Sequence, residues 1–411
     1  MEPRKDRVPT WLALLALAVA LPPAAIWLLW QYMGATATPL HKDPRTVPSA
    51  TRSAPSPEWT RAVEQARQIA RADLSEKNLP GMSVAVGARG DIVWAEGFGW
   101  ADLKDRVVVT PATRFRIGTA SVALTSAAAG LLIEKQRLKL DEKVQTYVPG
   151  FPEKEWPVTL AQLMGHVAGV RTDGGDEGPL FSGHCARPVE ALRFFAEDPL
   201  RFEPGTRFQF SSYGWILVSA AVEAAAQEPY AAFMRKRIFE PLEMNDTTVD
   251  EATADSAPPA APDRATSYFP RFAGDPRYGP DPMRPLDYSC YAGSSVFLST
   301  PSDLVRFAMA INRGKLLQPD TVRLLQASQR LASGEETGYG LGWDLETVSL
   351  SGRQTSVVGH DGDVLGGMAV SLMTIPEHGI VVSVTANTSY ADTFSLAVKI
   401  AQAFTPAPAP R

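Results

Sequence analysis

The sequence predicts an α/β fold of the α+β kind, with one antiparallel sheet flanked by helices and assembled from both ends of the chain. Three observations predict it. The stretch MSVAVGARGDIVWAEGFGWAD (82–102) alternates in period two on both sides of Arg89-Gly90-Asp91, as a β-hairpin does. Strand patterns return near the other end in YGLGWDLETV, QTSVVGHDG, MAVSLMTIP and GIVVSVTANTS, the last two flanking a turn at Glu377-His378-Gly379. Between these two regions the pattern is helical. Such an order predicts one sheet with a helical subdomain inserted into it.

Taken from the start, MEPRKDR precedes an uncharged run from Trp11 to Trp30. Twenty helical residues at ~1.5 Å each span roughly the 30 Å hydrocarbon core of a bilayer. Trp11, Trp27, Trp30 and Tyr32 stand near its ends, where interfacial aromatics are enriched. Residues 1–33 are therefore expected to form a membrane anchor. The rival reading is a cleaved signal peptide, with Ala35-Thr36-Ala37 as a small-residue cleavage pattern. In both, Arg4, Lys5 and Arg7 keep the N-terminus inside and send the rest of the chain across, to the periplasmic side in a bacterial cell. Residues 34–57 are rich in Pro, Ser, Thr and Ala and read as an extended, solvated linker, and 405–411 (TPAPAPR) as a tail of the same material.

The globular part is expected over 58–404. Trp59, Val63, Ala66, Ala70 and Leu74 recur at helical spacing, and Leu79-Pro80-Gly81 ends that helix. Further helices are predicted over 118–135, 159–166, 188–197, 212–227, 229–239 and 391–404. The first of these is almost uncharged through Ile133, which predicts burial on every side. Residues 252–290 read as one long loop. Apolar residues make up 45% of the chain and charged ones 21%, enough for a sizeable core. The net charge of −5, with no basic block beyond the N-terminus, argues against nucleic acid as a partner. Cys185 and Cys290 are the two cysteines; a disulfide and two separate buried thiols are both open readings. His184-Cys185 lacks the second ligand pair a metal site needs, so no metal and no cofactor are expected.

A set of phrases recurs in a fixed order: GMSVAVGARGDIVWAEGFGWAD, TRFRIGTAS, KLDEKVQTYVPGFPEKEWPVTLAQLMGHVAGV, FEPGTRFQFSSYGWILVSAAVE, YAGSSVFLSTPSDLVRF, YGLGW and GHDGDVLGG. Over about 58–403 the chain resembles the β-lactamase and penicillin-binding serine hydrolases, in particular the class C type and the mitochondrial serine β-lactamase-like proteins. The resemblance implies a β-lactamase/transpeptidase-like fold and a cleft that works by acyl transfer. In that family a serine at the mouth of a buried helix attacks a carbonyl, and a lysine one turn later takes its proton; positions three apart share a helix face, so the amine reaches the hydroxyl. A Tyr-x-Asn element adds a proton-relaying phenol and an amide. A Lys- or His-x-Gly element on a strand forms the opposite wall.

Carried over residue by residue, Thr119 takes the nucleophile position and Val122 the lysine position. Phe210 and Ser212 take the Tyr and Asn positions, and His360-Asp361-Gly362 keeps the third element. No Ser or Thr in the chain is followed three residues later by Lys. A threonine hydroxyl is a weak nucleophile without a base, and neither Val122 nor Phe210 can move a proton. Ser121, Ser212, Tyr213, Asp361 and Gly362 are the residues the resemblance places around a substrate pocket. His360 is the replacement base to consider, since an imidazole has a suitable pKa near neutrality. Asp361 follows it on a strand and should face the other way. Thr119 has a plainer reading as a helix N-cap, Ser121 as a hydroxyl bonded back to its own helix, and His166 as a core histidine. Arg114 and Arg116 read as structural ion-pair partners.

Two functions follow as expectations. One is a relative without acyl-transfer chemistry that binds a small molecule or peptide in the cleft. The other is an amide or ester hydrolase that uses Thr119 with an unorthodox base such as His360.

Overall fold

A computed structural model describes residues 23–35, 38–171, 183–250, 263–271, 276–284, 286–364 and 368–405. Its centre is an antiparallel sheet with strand order β1-β3-β2-β13-β12-β11-β10, and β4 pairs with β3. The strands are β1 (Ser49–Thr51), β2 (Gly81–Ala88), β3 (Asp91–Asp102), β4 (Val107–Val108), β10 (Asp344–Leu350), β11 (Arg353–Val364), β12 (Met368–Ile375) and β13 (Ile380–Ala386). The two predicted hairpins are present, and they join at the middle of the sheet, where Val84 of β2 lies opposite Val384 of β13. Both tight turns use left-handed backbone: Arg89 (φ 54°) and Gly90 (φ 92°) in the first, Gly379 (φ 60°) in the second.

Side-chain parity divides the core in two. Val84, Val86, Val382 and Val384 face α1 (Thr60–Glu76) and the C-terminal helix, whose Val63, Ala66, Leu74, Leu396, Ile400 and Phe404 complete one apolar layer. Ala85 and Val381 face the inserted helices. Among those is α2 (Ser121–Glu134), in which Ser121 to Gly130 and Leu132 are all buried, as its lack of charge predicts. Two of its hydroxyls tie it down: Thr125 Oγ1 bonds Gly293 O at 2.8 Å, and Ser126 Oγ bonds Leu341 O at 2.5 Å. A capping box at Thr159 and Gln162 starts α3 (Leu160–Met164), and Ser211 caps α4 (Ser212–Ala226). The predicted helix over 229–239 is α5 (Tyr230–Met234) running into a π-helical turn at Arg235–Phe239. A 3₁₀ segment, Pro188–Phe194, replaces the predicted 188–197 helix. The remaining helices are α6 (Pro301–Asn312), α7 (Pro319–Leu325) and α8 (Thr393–Phe404).

Three expectations need correction or placing. Residues 38–51 are not a solvated linker: His41 and Val47 are buried, and β1 pairs with Glu96–Phe98 of β3. The backbone groups of that segment gain ladder partners, which outweighs its Pro- and Thr-rich composition. The 252–290 loop carries a small two-stranded sheet of β7 (Tyr268–Pro270) and β8 (Pro280–Pro282), while 251–262 lie outside the described residues. The N-terminal span falls largely on residues 1–22, also outside them. Residues 23–35 are helical, and no described helix is long and apolar enough to cross a membrane.

Candidate active site

The three catalytic elements of the resemblance meet at the edge between the sheet and the helical insert. Short strand β5 (Phe115–Arg116) pairs with β9 (Phe297–Ser299), and β9 in turn with β6 (Thr248–Val249). This fixes the start of a 3₁₀ turn, Gly118–Ala120, that leads into α2. Strand β11 crosses directly over that turn at Gly362. A Cβ there would lie 2.5 Å from Ile117 O and 3.1 Å from Thr119 N, so only glycine admits the strand this close. Thr119 and the His360–Gly362 segment are thus held together by backbone contact.

The Thr119 hydroxyl does not cap its helix, whose start has no side-chain cap. It donates to the backbone carbonyl of Asp361 at 3.0 Å. The same carbonyl receives His360 Nδ1 at 2.7 Å. The Asp361 side chain faces away, as strand alternation predicts, yet its backbone carbonyl meets the His360 ring. Asp344 Oδ2 also lies 3.8 Å from His360 Nδ1 and accepts the Asp361 N–H at 3.2 Å.

His360 is buried, and its other nitrogen is engaged as well. Nε2 lies 2.9 Å from the Tyr339 hydroxyl, which in turn lies 3.2 Å from His166 Nε2. Proton positions are assigned from the nearer of the two fixed donors to His166. Ser211 N–H donates to His166 Nδ1 at 3.0 Å, so the proton of that neutral ring is assigned to Nε2. His166 then donates to Tyr339, Tyr339 to His360 Nε2, and His360 Nδ1–H to Asp361 O. Trp215 Nε1–H also points at His166 Nε2, 3.2 Å away, and competes with this order. Burial, reinforced by the neighbouring His360, holds the His166 pKa well below its ordinary value, so His166 is neutral. Burial, helped by Asp344, raises that of Tyr339 well above the phenol range.

Phe210 closes the site from the helical side. Its ring centroid lies 4.2 Å from His166 and 6.3 Å from His360. It has no hydroxyl to offer either ring. Val122 is fully buried in the core behind Thr119. Ser121 is also fully buried, and its Oγ has no hydrogen-bond partner among the described residues, so it does not bond back along its helix. Ser212 and Tyr213 are buried within α4, Tyr213 stacked on Phe195 with centroids 4.8 Å apart. Only Thr119 and Phe210 of the carried-over residues on the helical side are half-exposed.

The flanking residues are structural. Arg116 pairs with Asp250 at 2.6 Å and lies over the Tyr288 ring, and Arg114 pairs with Asp263 at 2.5 Å. Cys185 and Cys290 form a disulfide with Cα atoms 4.9 Å apart. Beside it, His184 Nδ1 meets Asp287 Oδ2 at 2.9 Å. No group of three or more metal-ligating side chains occurs among the described residues.

On the other face of β11, the Asp361 carboxyl is pushed up to about 7, chiefly by burial and secondarily by Asp344, Glu346 and Asp392. Sequence reading missed Tyr339 and Asp344. The phrase YGLGW contains Tyr339, but nothing in the phrase says that its hydroxyl joins two histidines distant in sequence.

The chain is similar to known proteins in both sequence and fold. The family model described as Beta-lactamase matches residues 61–404. The human protein described as serine beta-lactamase-like protein LACTB, mitochondrial, is 27% identical over 84% of this chain and 80% of its own length. Penicillin-binding protein 4* of Bacillus subtilis is also 27% identical, over 70% of this chain and 64% of its own. Among solved structures, the octameric penicillin-binding protein homologue from Pyrococcus abyssi superposes with a TM-score of 0.68 at 25% identity, covering 83% of this chain and 77% of that one. The D-amino acid amidase from Ochrobactrum anthropi reaches the same TM-score at 20% identity, covering 84% and 98%, and shares the fold.

Proposed function

The chain belongs to the β-lactamase family, and from that premise we propose that it is a relative that has given up acyl transfer and keeps the cleft for binding a small molecule or peptide. The observation that carries this reading is the bond from Thr119 Oγ1 to the Asp361 carbonyl. A general base must accept the nucleophile's proton within roughly 2.6–3.2 Å, and a backbone carbonyl cannot take a proton. His360, the candidate base, contacts that same carbonyl through Nδ1 and Tyr339 through Nε2, and in the tautomer assigned above neither nitrogen has a lone pair free for Thr119. Val122 and Phe210 supply no substitute.

The hydrolase alternative rests on the convergence of Thr119 and His360 on one carbonyl. It requires the imidazole to present one nitrogen lone pair to Thr119, by a change of tautomer or of partner. Intact mass after incubation with a fluorophosphonate and with a penicillin tests the choice. We expect no adduct on folded protein; an adduct lost in Thr119→Ala establishes a working nucleophile and overturns the proposal.

The proposal also places the domain outside the cytoplasm, on an N-terminal membrane anchor. Residues Ile26, Trp27, Leu28, Leu29, Trp30 and Tyr32 are more than half exposed in the 23–35 helix, which supports that reading because such a surface avoids water in a bilayer. Resistance of the full chain to alkaline extraction from membranes, lost on deleting residues 1–37, is the expected result. A full chain that extracts as a soluble protein contradicts it.

A further inference from the structure

A second concave site lies at the Arg89-Gly90 end of the β2–β3 hairpin and shares no residue with the cleft. It is a groove of about 520 Å³ between the β2–β3 turn, the residues after β1 and the C-terminal half of α6. That is within the size range of small-molecule sites. Four cations line it: Arg52, Arg306, Arg313 and Lys315, against the carboxylates of Asp91 and Glu243. The lining side chains sum to 4 − 2 = +2, with Arg306 paired to Asp303 behind the groove, in a chain whose net charge is −5.

Two of the guanidinium groups are held in place by the fold. Arg306 Nη1 bonds Asp303 Oδ1 at 2.6 Å. Asp303 is fully buried, and its other oxygen accepts Thr247 Oγ1 and the Asp246 N–H. The anchored Arg306 thus lines the groove while its stem is fixed. Arg313 lies flat on the backbone of Gly90, where a Cβ would fall 1.6 Å from its Nη1. The hairpin turn therefore serves as a platform for that guanidinium. Arg52, Arg313 and Lys315 make no ion pair among the described residues, nor do Asp91 and Glu243, so the charges of the groove are not spent on one another.

We propose that this groove binds a soluble dianion with a phosphate-type head, gripped by the Arg52, Arg306 and Arg313 forks with Lys315 as a further charge. Planar guanidinium forks match the oxygens of phosphate in pairs, and a groove with an excess of cations complements an anion. Lipid phosphate is the other source of the same chemistry. The groove opens at the Gly90 end of β2, whereas the 23–35 helix meets the body at the Gly81 end, with Trp30 against Tyr278 and Asn78 bonding Arg277 O. The eight residues of β2 separate these ends by roughly 25 Å.

Calorimetric titration of the full chain with inorganic pyrophosphate tests this. We expect saturable binding that weakens as salt rises, weakens at least tenfold in Arg313→Ala and in Arg52→Ala, and tightens several-fold in Glu243→Gln. All three side chains are exposed, and unchanged circular dichroism verifies that the variants fold. No binding at low salt, or binding that the two arginine variants leave unchanged, overturns the site. Vesicles containing phosphatidylglycerol separate the sources: association equal in wild type and the Arg52→Ala/Arg313→Ala variant is expected. Loss of association in that variant moves the ligand to lipid and overturns the soluble assignment.

Discussion

At the scale of single residues, the site is governed by where protons are already committed. Tyr339 holds two buried imidazoles at once, so Tyr339→Phe leaves His360 Nε2 without a partner and His166 Nε2 with only the Trp215 N–H. An unsatisfied buried polar group costs about 1–3 kcal/mol, and we expect a loss of that order in denaturant unfolding. An unchanged midpoint contradicts the bridging role. Asp361 gives a pH signature. Its folded pKa, about 7, lies above the ordinary value of 3.8, so the protonated carboxyl is the form the fold accommodates. The relative stability this confers is complete below the unfolded pKa and is lost as pH rises from about 4 through 7. Asp361→Asn, which cannot ionise, should therefore stabilise the protein at pH 8 relative to wild type and have little effect at pH 4. Thermal melts across that range check the sign, and a gain confined to acid pH contradicts it.

At the scale of elements, the parts that rest on periodicity were legible. The hairpins at Arg89-Gly90 and Glu377-His378-Gly379 announce themselves by alternation around turn residues, and α2 by its lack of charge. That the resemblance puts Thr119 and Val122 where the family has Ser-x-x-Lys is equally plain in one dimension. The hydrogen-bond chain from His166 through Tyr339 and His360 to Asp361 is not, because it joins residues 166, 339 and 360 through a sheet register that composition does not encode. Residues 38–51 misled for a related reason. A Pro- and Thr-rich stretch has a low intrinsic tendency to pair, yet the open edge of β3 offered it a ladder. The Cys185–Cys290 link also depended on three-dimensional proximity across a sequence separation of 105. Closing so long a loop restricts the unfolded chain, so replacing both cysteines by serine should lower stability by about 4–5 kcal/mol on the chain-entropy model. Equal unfolding midpoints under oxidising and reducing conditions contradict that contribution.

At the scale of the whole molecule, a family scaffold is complete, and on the proposed reading its chemistry has been exchanged. Both core layers, the backbone approach of Gly362 to the nucleophile turn and the strand bearing His360 are in place, and these are what a rigid binding cleft needs. What the proposed reading removes is the pathway for a proton to leave Thr119. Hydrolysis of a p-nitrophenyl ester and of a chromogenic β-lactam, compared between wild type and Thr119→Ala, tests that claim most directly. Equal rates in the two proteins are the predicted result, since residual turnover then owes nothing to the hydroxyl. A rate that falls tenfold or more in Thr119→Ala, equivalent to about 1.4 kcal/mol of transition-state stabilisation, contradicts it and makes the cleft an active site.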